Sequence, residues 1–242
     1  MKSIYFKELK QYFSSPIAYI SMGLFVLLSA LFLWVIEGNY YLPSYRFADL
    51  TPFFSLAPWI LIFVIAAIGM KSFSEEYKSG TIENLLTKPL SFQQVIRGKF
   101  LAVWTVAVWM LIPSLIYVFS IQALSLEGSI DYKNLISAYF GLILLTGAFS
   151  AIGVFSSSLT DSQIVAFLIG VFLMFLFYYG LEGIGSFNLL GSWDLFFQKL
   201  SLDFHYQNMI KGLLRFSDVV YMLSVIVLFT GLTYYSLQKR IQ

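Results

Sequence analysis

The sequence predicts an all-α polytopic membrane protein with six transmembrane helices, and three observations carry that class. Of 242 residues, 59% are hydrophobic and only 12% charged, where soluble domains carry about a quarter charged. Uncharged runs extend from Gln11 to Ile36, Leu50 to Met70, Phe100 to Leu126, Asn134 to Thr160, Ser162 to Leu181 and Val219 to Gln238, each long enough for a hydrocarbon core that needs about 20 helical residues. The runs are continuously apolar, which excludes a barrel, because barrel strands alternate lipid-facing and lumen-facing residues.

The first element precedes the first span. In IYFKELKQYFSSP, Tyr5, Phe6, Leu9, Tyr12 and Phe13 share one helical face, while Lys7, Glu8, Lys10 and Gln11 share the other. Residues 1–15 therefore predict an amphipathic helix lying in the membrane interface, with its polar face toward water. Ser14-Ser15-Pro16 turns the chain into the first span, since proline suits a first helical turn and breaks an interior one. That span is too long for a signal-peptide core and is followed by Glu37-Gly38-Asn39 in place of a small-residue cleavage site, so it is expected to be retained.

Charge sets the expected topology. Ten basic residues fall before the first span, between the second and third, and after the sixth: Lys2, Lys7, Lys10, Lys71, Lys78, Lys88, Arg97, Lys99, Lys239 and Arg240. The other side has five, Arg46, Lys133, Lys199, Lys211 and Arg215. The positive-inside rule then places both termini in the cytoplasm. The overall charge of +2 is a sum over opposite faces and gives no reason to expect nucleic acid as a partner.

Between the second and third spans lies a polar insert, residues 71–99. Ser72 with Glu75 fits a capping box, after which Phe73, Tyr77, Thr81 or Ile82, and Leu85 share one helical face, opposite Glu75, Glu76, Ser79 and Glu83. Gly80 is placed inside this helix, where glycine costs roughly 1 kcal/mol relative to alanine. Lys88-Pro89 ends it, and Ser91 with Gln94 starts a second helix running through Arg97, Gly98 and Lys99 into the third span. Periodicity alone leaves two readings open: a lever on which a cytoplasmic partner pushes, or a solvated connection.

The fourth span carries Gly141, Thr146, Gly147, Ser150 and Gly153, a pattern that lets helices approach closely. Asp161 is a candidate cap for the tight turn at 160–163. On the outer side, residues 183–217 predict a short helix carrying Trp193, Phe196, Phe197, Leu200 and Phe204 on one face, then a second from His205 to about Leu214, both half-buried where aromatic residues gather. His205, the single histidine, is read as an interfacial or hydrogen-bonded residue. With no cysteine there is neither a disulfide framework nor a thiolate metal site; no catalytic residue, metal or cofactor is expected.

EEYKSGTIENLLTKPLSFQQVIRGKFLA resembles the coupling-helix region of ABC-2 type transporter permeases through Glu75 or Glu76, Gly80, Thr81, Ile82, Glu83, Leu85, Leu86, Pro89, Leu90, Ser91, Gly98, Lys99 and Phe100. FKELKQYFSSPIAY resembles that family's elbow helix, AIGVFSSSLTDSQIVAF its turn between the fourth and fifth spans, and LDFHYQNMIKGLLRFSDVVYMLS its outer re-entrant segment and last span. The likeness covers essentially the whole chain and is closest to gliding-motility-associated permeases, with copper-processing permeases as near neighbours. It implies one transmembrane domain over 1–242 in the inner membrane of a bacterium, exporter-like in action. ATP would be bound by a separate ABC ATPase subunit, in keeping with the lack of a G-x-x-x-x-G-K-[ST] phosphate loop. Residues 71–99 would dock on that ATPase, with Tyr77, Ile82 and Leu85 as apolar anchors and Glu75, Glu76 and Glu83 as orienting charges. Six spans imply a second permease chain, identical or paralogous, and the short outer segment suggests a periplasmic auxiliary protein. Glu75-Glu76 superficially resembles the paired glutamates of CAAX-type membrane proteases, but Gly80 stands where that pattern needs arginine and its histidine motifs are missing. A passive scaffold of an envelope machine is the remaining alternative.

Overall fold

The computed structural model describes residues 2–44, 49–81, 91–124, 131–186 and 191–241. All regular structure among them is helical. Helix α1 (Lys2–Ser14) precedes α2 (Pro16–Trp34); α3 (Thr51–Gly69) runs into α4 (Lys71–Lys78); α5 (Phe92–Leu111) continues as α6 (Leu115–Leu124). Next come α7 (Tyr132–Ser158), α8 (Gln163–Phe175), α9 (Leu181–Ser186), the short α10 (Asp194–Lys199) and α11 (Leu202–Ile210), and the long α12 (Phe216–Ile241). Six of these helices or helix runs are long and apolar enough to cross a membrane, so the chain is a multi-pass membrane protein. An even number of crossings brings both termini to one end of the bundle, here termed the terminal face.

The caps fall where the sequence can form them. Pro16 opens α2 behind Ser15, whose hydroxyl accepts from the Ile17 amide, and Asp131 accepts from the amides of Lys133 and Asn134 to start α7. Ser162, not Asp161, caps α8 by accepting from the Val165 amide; Asp161 is turned toward Arg240 instead. On the face opposite the termini, the division between short helices falls before Leu202 and not at His205, because Ser201 caps α11 by accepting from the Asp203 amide. His205 is hydrogen-bonded as expected, at 2.7 Å from Asp218 and 2.9 Å from the Lys199 carbonyl, and it stacks on Tyr221.

Helix α7 is the hub, packed against α3, α4, α5, α8, α11 and α12. Its small residues do what the sequence suggested: a Cβ added to Gly69 of α3 would stand 2.9 Å from the Gly153 Cα, and one added to Gly141 would stand 2.8 Å from Met209. Helices α3 and α7 are mostly buried, whereas α2, α8 and α12 keep most of their surface outward.

Breaks in the spanning helices have named causes. Pro113 divides the third span with a 3-10 turn over Ile112–Ser114, a break the apolar run from Phe100 to Leu126 concealed. Pro58 lies inside α3, where a missing N–H frees the carbonyl four residues earlier. That carbonyl, Phe54, accepts a 3.0 Å hydrogen bond from the buried Tyr206 hydroxyl of α11, so the proline docks a short helix onto a span. Tyr206→Phe is expected to cost about 1–2 kcal/mol by leaving a buried carbonyl unsatisfied. In a Pro58→Ala background, whose restored amide supplies a donor, the same change should be nearly neutral; equal losses in the two backgrounds, by thermal unfolding in detergent, would refute the pairing.

Candidate functional site

At the terminal face α1, α4 and the first turns of α5 close around one another. The buried stripe of α1 is Ile4, Glu8 and Tyr12, one residue every helical turn. This corrects the expected polar face, since Glu8 points inward and Phe6 is 62% exposed. Close approach to α5 explains the burial: Gly98 leaves room for Ile4, whose Cγ2 would lie 2.8 Å from an added Cβ. Tyr12 reaches the Ile68 carbonyl and the Ser72 hydroxyl, each at 3.3 Å. Burial raises the Tyr12 pKa above its ordinary value, partly offset by the Ser72 hydrogen bond, which keeps the phenol neutral and able to donate.

Lys99 occupies the centre. It is 1% exposed, and its ammonium lies 3.0 Å from Glu8 Oε1, 2.9 Å from Glu76 Oε1 and 2.6 Å from the Ser72 carbonyl. An ammonium has three donors, and all three are used, with the Phe73 ring centroid 5.0 Å away. Lys7 adds a second cation 3.8 Å from Glu76. One lysine thus ties the first turns of the third span to both the N-terminal helix and the insert helix. In sequence Lys99 counts toward topology and belongs to the family-like Gly98-Lys99-Phe100 stretch, but neither reading shows it buried; the overlooked signal is that it shares a face with Val95, Ile96, Ala102 and Val103, all buried, and an ionisable residue on such a face requires a partner.

A second joint fixes where α3 meets α4. The Ser157 hydroxyl of α7 accepts from the amides of Phe73 and Ser74, at 2.9 and 3.0 Å, and donates to the Met70 carbonyl at 2.8 Å. A side-chain hydroxyl set into a helical ladder bends it, and this one uses both lone pairs and its proton. The expected capping box is thereby corrected: α4 is capped from α7, and Ser72 is a buried residue facing Tyr12. Ser91 does start α5 in the extended conformation, with the Gln94 amide bonded to its carbonyl at 2.9 Å, but its side chain makes no cap bond.

The predicted insert residues divide as follows. Glu75 and Glu76 are half-buried and line a cavity of about 270 Å³ together with Lys7, Gln11, Ser79 and Thr81. Glu76 Oε2 is buried there without a hydrogen-bond partner. Tyr77 is half-buried beneath the Arg240 guanidinium, 4.3 Å from ring centroid to Cζ. Gly80 lies beyond the helix end, contrary to expectation: its φ is +67°, and its amide bonds to the Tyr77 carbonyl while the Thr81 amide bonds to the Glu76 carbonyl. This Schellman pair is what glycine supplies at a helix terminus. Thr81 therefore leaves the Phe73 and Tyr77 face and sits exposed past the cap. Ile82, Glu83, Leu85 and Leu86 lie outside the described residues, as does the turn at Pro89.

What the arrangement can do is mechanical. A short helix bearing carboxylates is bolted to three spanning elements, so a force on it moves the spans. Among the described residues no cluster of three or more metal-ligating side chains occurs. Residues 3–240, nearly the whole chain, match the family described as ABC-2 family transporter protein. The chain belongs to the ABC-2 transporter family. Its members are the membrane component of a transporter, and membership implies an ABC ATPase as a partner. A comparison with curated proteins finds no match.

Proposed function

We propose that this ABC-2 protein is the permease half of an ATP-driven exporter in a bacterial inner membrane, with both termini in the cytoplasm, and that residues 71–99 receive the thrust of a separate ATPase. The observation that carries the reading is the buried Glu8–Lys99–Glu76 bridge, which makes the insert helix one rigid piece with the elbow helix and the third span while the cavity beside it stays open to a partner. Glu75, Glu76 and Tyr77, with Gly80 and Thr81 beyond the helix end, form the described part of the docking surface; Ile82, Glu83, Leu85 and Leu86 complete it. A second permease chain completes the transporter, ATP is held by the partner subunit, and a periplasmic auxiliary protein is its expected outer companion. Resemblance in sequence favours a role in gliding motility over copper processing.

The test is gentle purification of the tagged protein from its native membrane. An ABC ATPase is expected to co-purify, and a Glu75→Arg, Thr81→Arg double variant, altered at the cavity rim and not in the buried bridge, should retain less than a tenth of it with an unchanged gel-filtration profile. Full retention by the variant moves the docking surface elsewhere; no ATPase with the wild type favours a passive scaffold.

A further inference from the structure

The end of the last span meets the insert helix at a point separate from the Glu8–Lys99–Glu76 bridge and the Ser157 joint. Arg240 places one guanidinium nitrogen 2.5 Å from Asp161 Oδ1 and the other 3.0 Å from the Leu159 carbonyl, and its Cζ stands 4.3 Å over the Tyr77 ring. Three elements distant in sequence meet on one planar cation: α12, the turn between α7 and α8, and α4. Each contact has its own physical reason. Leu159 is the C-cap of α7, where helical carbonyls lack partners and the helix dipole attracts positive charge. Asp161 supplies the counterion, and the face of Tyr77 supplies a cation–π contact. Ser236, one turn before Arg240, donates to the Ser158 carbonyl at 3.2 Å, so two successive turns of α12 close the end of α7.

The ion pair alone is weak, because Arg240 and Asp161 are 35% and 65% exposed in their side chains and exposed pairs contribute little. Its consequence is geometric: a flat guanidinium that must satisfy an acid, a carbonyl and a ring at once fixes the positions of all three. We propose that Arg240 is a positioning residue that fastens the terminal end of α12 to the insert helix, so that displacement of Tyr77 by a docked partner is carried into the last span and the α7–α8 turn. The transmission, though not the fastening, rests on the coupling role given above to residues 71–99.

The chain contains no cysteine, so a labelled pair needs no background changes. Cysteines at the exposed positions Lys78 and Gln238 would carry nitroxides, with the distance between them read by pulsed electron paramagnetic resonance. In nucleotide-free protein one narrow distribution is expected, its width at least doubling in Arg240→Ala. Arg240→Lys should fall between, since an ammonium keeps the charge on Asp161 but cannot also fork to Leu159 and lie flat on Tyr77. In the complex with its ATPase, trapped with ATP and vanadate, the wild-type distance should match the nucleotide-free one because the two helices move together, while in Arg240→Ala it should shift. Arg240→Ala should still retain the ATPase. A wild-type distribution in Arg240→Ala overturns the fastening, and loss of the ATPase from that variant makes Arg240 a docking residue and overturns the positioning role. Failure of the ATPase to bind wild-type protein would instead defeat the coupling reading and the transmission with it, leaving the nucleotide-free comparison to decide the fastening.

Discussion

Lys99→Met is expected to cost about 3–5 kcal/mol of stability, the range for breaking a buried ion pair from one side. Methionine matches the stem of lysine in length, so packing changes little. The cost comes from Glu8 and Glu76, whose side chains are 6% and 13% exposed and which would face each other with only Lys7, itself 60% exposed, to balance them. For a chain of this size the loss corresponds to a fall in melting temperature on the order of 10 °C, readable by thermal gel filtration in detergent. Replacing the whole group, Lys99→Met with Glu8→Gln and Glu76→Gln, should recover most of the loss, because a neutral group of similar volume leaves no uncompensated charge. A Lys99→Met protein that melts like wild type would remove the bridge as the bond between the N-terminal helix, the insert and the third span.

The second large effect is at Ser157. Alanine there strands the amides of Phe73 and Ser74, both in residues that are fully buried, and frees the Met70 carbonyl from one donor. At about 1–3 kcal/mol for a buried unsatisfied group, with part recovered if the helical ladder closes across the gap, the expected loss is about 2–3 kcal/mol. Hydrogen exchange in the 69–78 segment should rise at the same time. Ser156→Ala is the matched control: that hydroxyl is equally buried, but it donates to the Gly153 carbonyl of its own helix at 2.9 Å, so its removal should cost under about 1 kcal/mol. If the two alanine variants melt together and exchange alike, Ser157 is not the joint between α3 and α4.

These residues also show where reading the chain stops. Ser156, Ser157 and Ser158 are three identical letters, and nothing local distinguishes the one that holds another helix from the two that bond to their own. In sequence Glu8 shares a polar face with Lys7, Lys10 and Gln11, which points it to water; the approach of α5 past Gly98 turns that side of α1 inward. Gly80 was legible as a glycine needing a reason, but its reason depends on where the helix stops, and a left-handed terminus looks in sequence like a costly interior position. The proline breaks were half legible: Pro16 marks a helix start by itself, whereas Pro58 gains meaning from Tyr206, 148 residues later.

The class, the six spans and their approximate limits, the N-terminal helix, the polar insert and the close-packing face of α7 are legible in the order of the amino acids. These follow from hydropathy and periodicity, which are properties of one segment against its solvent. The Glu8–Lys99–Glu76 bridge, the Ser157 joint and the Arg240 junction emerge from the packing of the helices. Each of those satisfies a donor or a charge on one element with an acceptor or ring on another, and which partner is found depends on how the helices pack, information that no single segment contains.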